Sequence, residues 1–212
     1  MIYLGGQPAG QIYVGDTMPW GIYLGDVLHW KRDPDSGSFT DTGAVVVPLW
    51  VRWVDVVLLG GGASGQTGSG ANASAGDGGN AGAWVTRRFE RGVDFNGTPT
   101  LSFSVGAGGA QAPNSDKGGP NAGQATTATG IGSGLSAAGG SGTTSGQNGA
   151  SPGNSTFEGV VYTGGAGGTG NAGSPTAPGA AGAGGNGGFF GSRTRGAAGA
   201  RGQAWYRFRS WS

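Results

Sequence analysis

Few residues in this chain have a type and spacing that could do chemistry. Gly60-Gly61-Gly62-Ala63-Ser64-Gly65 follows an apolar run and fits the G-x-G-x-x-G spacing that brings backbone amides to a dinucleotide. That chemistry needs a helix after the loop, since its N-terminal amides hold the phosphates. The residues that follow, QTGSGANASAGDGG, cannot make one. A second match at Gly182, Gly184 and Gly187 has no strand before it. His29 is the only histidine, and its neighbours are positions of a repeat, so it reads as a packing or surface residue. Asp33, Asp35 and Asp41 do not fall on a calcium-loop spacing and read as a solvated hinge. Arg193, Arg195, Arg201, Arg207 and Arg209 make the C-terminal end locally basic. An anionic cell-surface polymer would suit that end, and salt-bridged or solvated arginines are the plainer alternative. No catalytic residue, metal site or cofactor is expected, and no enzyme.

The elements that would hold such residues are unusual. The chain has 212 residues, 52 of them glycine, with 35% apolar and 11% charged residues and a net charge of +1. A near-neutral chain lacks the basic stripe of a nucleic-acid binder. It has no cysteine, which excludes disulfides and thiolate metal sites. The opening MIYLGGQPAG shows no basic and apolar regions of a secretory signal, so none is expected. The apolar run around Val45–Leu59 is broken by Pro48, Arg52 and Asp55, so no membrane insertion is expected.

The first thirty residues are three copies of one decapeptide: MIYLGGQPAG, QIYVGDTMPW and GIYLGDVLHW. Each gives an Ile-Tyr-aliphatic run with β propensity, closed by a Gly-Gly or Gly-Asp turn. Strands this short make a marginal sheet alone. Self-association, as a trimer, would bury Ile2, Leu4, Ile12, Val14, Ile22 and Leu24 together with Trp20 and Trp30. A small meander folded on the next domain is the other reading. Residues 1–32 are thus an oligomerisation or docking element, 33–43 a linker, and 44–212 a glycine-rich β-domain.

Within that domain, Ala44–Leu59 reads as the best strand pair, alternating after Pro48. Further strands are expected at Ala83–Glu90, Leu101–Val105, Phe157–Tyr162 and Gln203–Trp211. They lie far apart, joined by glycine-rich excursions, as in a β-sandwich whose loops have grown into a second structure. From Gly164 to Gly191 glycine recurs every third residue, with Thr176 the one break. That period matches a threefold extended helix, and glycine lets neighbours approach until their backbones bond. The fold class expected is mainly β: a β-sandwich-like glycine-rich domain carrying a polyglycine II helix bundle. Phe157, Tyr162, Phe189 and Phe190, in or beside the glycine tracts, are candidate surface contacts or plugs capping the bundle.

The succession SFTDTGAVVVPLWVRWVDVVLLGGGASG, AGAWVTRRF, LSFSVGAGG and GAAGARGQAWYRF resembles the glycine-rich domain of minor tail proteins from siphoviruses that infect actinobacteria. The IYVGD decapeptides resemble the N-terminal segment such proteins carry. The resemblance implies a virion structural protein at the tail tip or fibre, made in the host cytoplasm. It also implies a trimer, contact with other phage tail proteins, and a host cell-envelope glycan as a partner. The chain has no long shaft or coiled coil, which favours a tip subunit over a free-standing fibre. An ice-binding protein and a bacterial surface glycine-rich protein are the alternatives.

Overall fold

The computed structural model describes residues 3–4, 7–8, 21–24 and 27–210. The described residues are all-β, with fourteen strands in antiparallel pairs. In the repeat region β1 (Tyr3–Leu4) pairs with β2 (Gln7–Pro8), and β3 (Gly21–Leu24) with β4 (Val27–Lys31). Ile2, Ile12, Val14 and Trp20 lie outside the described residues, as do the side chains of Leu4, Ile22, Leu24 and Trp30. Among the described residues, no helix is long and apolar enough to cross a membrane.

Two four-stranded sheets share one core. The first has the order β5 (Asp35–Phe39), β14 (Gln203–Arg209), β7 (Trp53–Leu59), β8 (Trp84–Glu90). The second runs β11 (Leu135–Ala137), β10 (Thr126–Thr129), β9 (Thr100–Ser104), β6 (Gly43–Val46). Between them Val54, Val56 and Leu58 of β7, Phe89 of β8 and Phe208 of β14 meet Leu101 and Phe103 of β9 and Ala128 of β10. All seven residues of β7 are buried, which explains why every one but Asp55 is apolar. On the edge strand β5, the Tyr206 ring covers Gly37, where a Cβ would lie 2.6 Å from the phenolic oxygen.

Three expectations change. Ala44–Leu59 supplies two strands, but β6 and β7 belong to different sheets. Pro48 starts a turn closed by the Val51 amide on its carbonyl at 3.1 Å. Asp35–Phe39, inside the stretch read as linker, is strand β5 and pairs with β14. Phe157–Tyr162 is a hairpin rather than one strand: β12 (Asn154–Phe157) turns into β13 (Val160–Thr163). Glu158 and Gly159, at φ 49° and 74°, supply the paired positive angles of such a turn, and glutamate concealed it in the sequence.

The glycine-rich segments leave the ends of these strands. Their backbone bonds follow a rule of three. The amides of residues 60, 63, 66 and 69 donate to the carbonyls of 83, 80, 77 and 74; those of 61, 64 and 67 donate to 124, 121 and 118; those of 62, 65 and 68 donate to 200, 197 and 194. All ten bonds lie between 2.7 and 3.1 Å. Acceptor numbers fall as donor numbers rise, so residues 60–69 run antiparallel to three neighbours. Their carbonyls in turn accept from Gly109, Gly140, Gly182, Gly185 and Gly188. Residues 60–69 are thus bonded to neighbours on all sides. Thr126, fully buried, joins the two parts: its hydroxyl donates to the Leu59 carbonyl at 2.7 Å and accepts from the Gly106 amide at 3.0 Å.

Glycine is required where these segments touch. A Cβ on Gly62 or Gly65 would overlap the carbonyl oxygen of Ala180 or Ala183. Gly65→Ala is therefore expected to cost about 3 kcal/mol, read from the urea unfolding midpoint. Gly146→Ala, which points into open space without a positive φ, should change stability by no more than about 0.5 kcal/mol.

Candidate functional site

The glycine loop at residues 60–65 is closed to phosphate. Each of its amides already donates to a backbone carbonyl, and the chain that follows is an extended segment with no helix. Asp33, Asp35 and Asp41 are exposed. Among the described residues, no three His, Cys, Asp or Glu side chains could hold a metal ion together. His29 lies among residues whose side chains are not described.

The four aromatic candidates separate. Tyr162 is only 9% exposed, so it is not a surface contact; its ring packs edge-on to Trp205 at 5.5 Å. Trp205 in turn stacks on Trp84 at 5.5 Å. Phe157 is half-buried at the end of β12. Phe189 and Phe190 stand at 60% and 107% exposure, in the turn between residues 179–188 and 193–202. Phe190 has φ 54°, a left-handed angle that costs a bulky residue of order 1 kcal/mol or more.

Neighbouring loops fix that turn. The Gly188 and Gly191 amides donate to the Ser69 and Gly70 carbonyls at 2.9 and 3.0 Å. Arg193 forms an ion pair with Asp116 at 2.9 Å and donates to the Asn114 side chain at 3.1 Å. Asp116 also accepts from the Gly70 amide at 2.7 Å. Three turns are thus tied into one tip at the end of the glycine segments, with two phenyl rings uncovered.

The basic C-terminal end is largely consumed by structure. Arg193 belongs to the tip, and Arg195 donates to the Ala112 carbonyl at 2.6 Å. Arg209 and Arg88 grip Asp55, which is 1% exposed, at 2.8 and 3.0 Å, and Glu158 of the hairpin completes the group through Arg88. Two cations face two carboxylates, and the quartet clamps β12 and β13 onto the outer face of the first sheet. Burial opposes the Arg88 charge, but Asp55 and then Glu158 outweigh it and hold its pKa above the usual guanidinium value. No local pattern in the sequence marks this quartet, because its members lie on three strands and a turn far apart in the chain.

Comparison with known proteins places the chain. A family model described as "Glycine-rich domain" matches residues 36–209. The chain belongs to this glycine-rich domain family. It is 41% identical over 170 residues to the "Gene 32 protein" of Mycobacterium phage L5, an alignment covering 76% of this chain and 74% of that protein. It is 36% identical over 196 residues to the "Gene 32 protein" of Mycobacterium phage D29, covering 82% and 83%. These relatives support a phage origin for this member of the glycine-rich domain family.

Two measurements test the buried polar groups. Asp55→Ala leaves two arginines without their buried partner and is expected to cost about 3–5 kcal/mol in urea unfolding. Burial raises the phenol pKa values of Tyr162 and Tyr206 above the usual 10.0. Each phenol therefore stabilises the fold fully below the unfolded-chain pKa, and that contribution is lost as pH rises through the folded value. The urea midpoint should hold up to about pH 9.5 and fall above about pH 10, less steeply in the Tyr162→Phe, Tyr206→Phe double variant.

Proposed function

We propose that the chain is a structural protein of the phage virion, a minor tail protein at the tail tip or fibre that presents its aromatic tip to the host surface. One observation carries the reading: in a chain with phage-encoded relatives, two exposed phenylalanines are fixed at the far end of a backbone-bonded array. The array is a polyglycine II bundle on this reading, supported by amide donors that change neighbour at every residue and return every third. Ser69 lies nine residues beyond Gly60, which starts where β7 ends. At the rise of a threefold extended helix the tip stands about 28 Å from the sheets. The fold is then a stiff spacer, and its work is binding rather than catalysis.

Magnitudes decide how such a tip would act. Burying one phenylalanine side chain contributes about 1.5–3 kcal/mol. Two rings contribute about 3–6 kcal/mol, which at best barely offsets the about 4–15 kcal/mol that association costs. Useful affinity therefore requires several copies acting together. The decapeptide repeats in residues 1–32 supply them, by trimerising the chain or docking it to other tail proteins. A host cell-envelope glycan is the partner. The protein is made in the host cytoplasm and resides in the virion.

Antibody labelling of virions from a phage encoding this chain is expected to mark the tail end; absence from purified virions overturns the reading. Light scattering should show a trimer that becomes a monomer without residues 1–32, and a monomer in both cases removes self-association. Phe189→Ser with Phe190→Ser should leave virion assembly intact and lower adsorption at least about tenfold.

A further inference from the structure

A second surface is built around Arg207. The outward residues of β14 are Gln203, Trp205, Arg207 and Arg209, since Ala204 and Phe208 face the core. Ser36 and Ser38 of β5 lie directly across from Arg207 and Trp205. The hairpin, held by the Asp55 quartet, stands over this face, with β13 as one wall. Between β5 and β13 lies a cleft of about 730 Å³, floored by Ser36, Ser38, Gln203, Trp205 and Arg207. That volume falls within the roughly 300–1,000 Å³ of small-molecule sites.

Charge makes the cleft distinctive. Asp55 and Glu158 are already matched by Arg88 and Arg209. Arg207 is a third cation beside two carboxylates that are taken. It makes no ion pair among the described residues, and its contact to the Glu158 carbonyl is long, at 3.5 Å. A guanidinium presents a planar fork suited to a carboxylate or a phosphate. Around it stand hydroxyls and a carboxamide, groups that both donate and accept. The neighbouring indole offers an apolar edge. Among the described residues, no carboxylate lines the cleft.

We propose that this cleft binds an acidic oligosaccharide, with Arg207 on its carboxylate or phosphate and Ser36, Ser38 and Gln203 on its hydroxyls. The proposal deepens the host contact described above and rests on that reading for the source of the ligand. A peptide strand suits the site less well, because the floor sets Ser36, Ser38, Gln203 and Arg207 around a single indole, where a peptide site alternates apolar pockets.

The test uses the full chain in calorimetry against trisaccharides of three kinds: uronate-bearing, phosphate-bearing and neutral. At least one acidic class should bind about tenfold more tightly than the neutral analogue, and the two acidic classes show which anion is preferred. Arg207→Gln should abolish that preference and leave neutral binding and the unfolding midpoint unchanged. Arg201→Gln removes the same charge outside the cleft and should leave the preference intact. Ser36→Ala with Ser38→Ala should weaken acidic and neutral sugars alike. The proposal is overturned by an absence of binding across all three classes, by equal loss in the Arg201 and Arg207 variants, or by an acidic peptide binding as well with the same Arg207 dependence. Virions that contain the protein, together with a chain that binds no sugar, would defeat the cleft alone.

Discussion

The structure depends on one interaction, the backbone hydrogen bond between extended segments that approach as closely as glycine permits. Ordering glycine is entropically costly, and a segment without large side chains gains little by leaving water. What offsets that cost is a backbone bond for every amide from Gly60 to Ser69, in a close-packed array where an unpaired group would be expensive. The low charge of the chain follows from the same constraint. An interior made of peptide groups has no room for long charged side chains, so arginine and aspartate gather at the tip and on the sheets.

The sheets set the register of that array. Residues 60–69 leave β7 and their neighbours 74–83 return to β8, already aligned by the Leu59–Trp84 register. Strands β9 and β10 bracket a second pair of segments, and β14 receives the last. The hairpin of β12 and β13 carries two more glycine segments without belonging to either large sheet. Its attachment through Glu158, Arg88, Arg209 and Asp55 therefore does for those segments what strand pairing does for the others.

Much of this was legible in the residues. The apolar run Trp53–Leu59 and the alternation after Gln203 announced central strands. The glycine period after Gly164 marked residues whose amides, at Gly182, Gly185 and Gly188, meet one neighbour at Ala63, Gln66 and Ser69. What stayed hidden depends on distant pairings. Thr126–Thr129 and Leu135–Ala137 are too small and polar to read as strands until β9 lies beside them. Glu158–Gly159 is a hairpin turn without its usual asparagine. Tyr162 gives no sign in the sequence that Trp205 will bury it. At the tip, two adjacent phenylalanines among glycines were visible; the Arg193–Asp116 clamp beneath them spans 77 residues and was not.

The direction of the bonds around residues 60–69 has a mechanical consequence. They run sideways between segments whose axes point from the sheets to the tip. A pull at the Phe189–Phe190 turn would load many of them in shear at once, where a pull that peels a strand breaks them one after another. Force would pass through the antiparallel segments into the ends of β7, β8 and β14 and be spread across the sandwich. Such an object carries tension along its axis without unzipping one bond at a time.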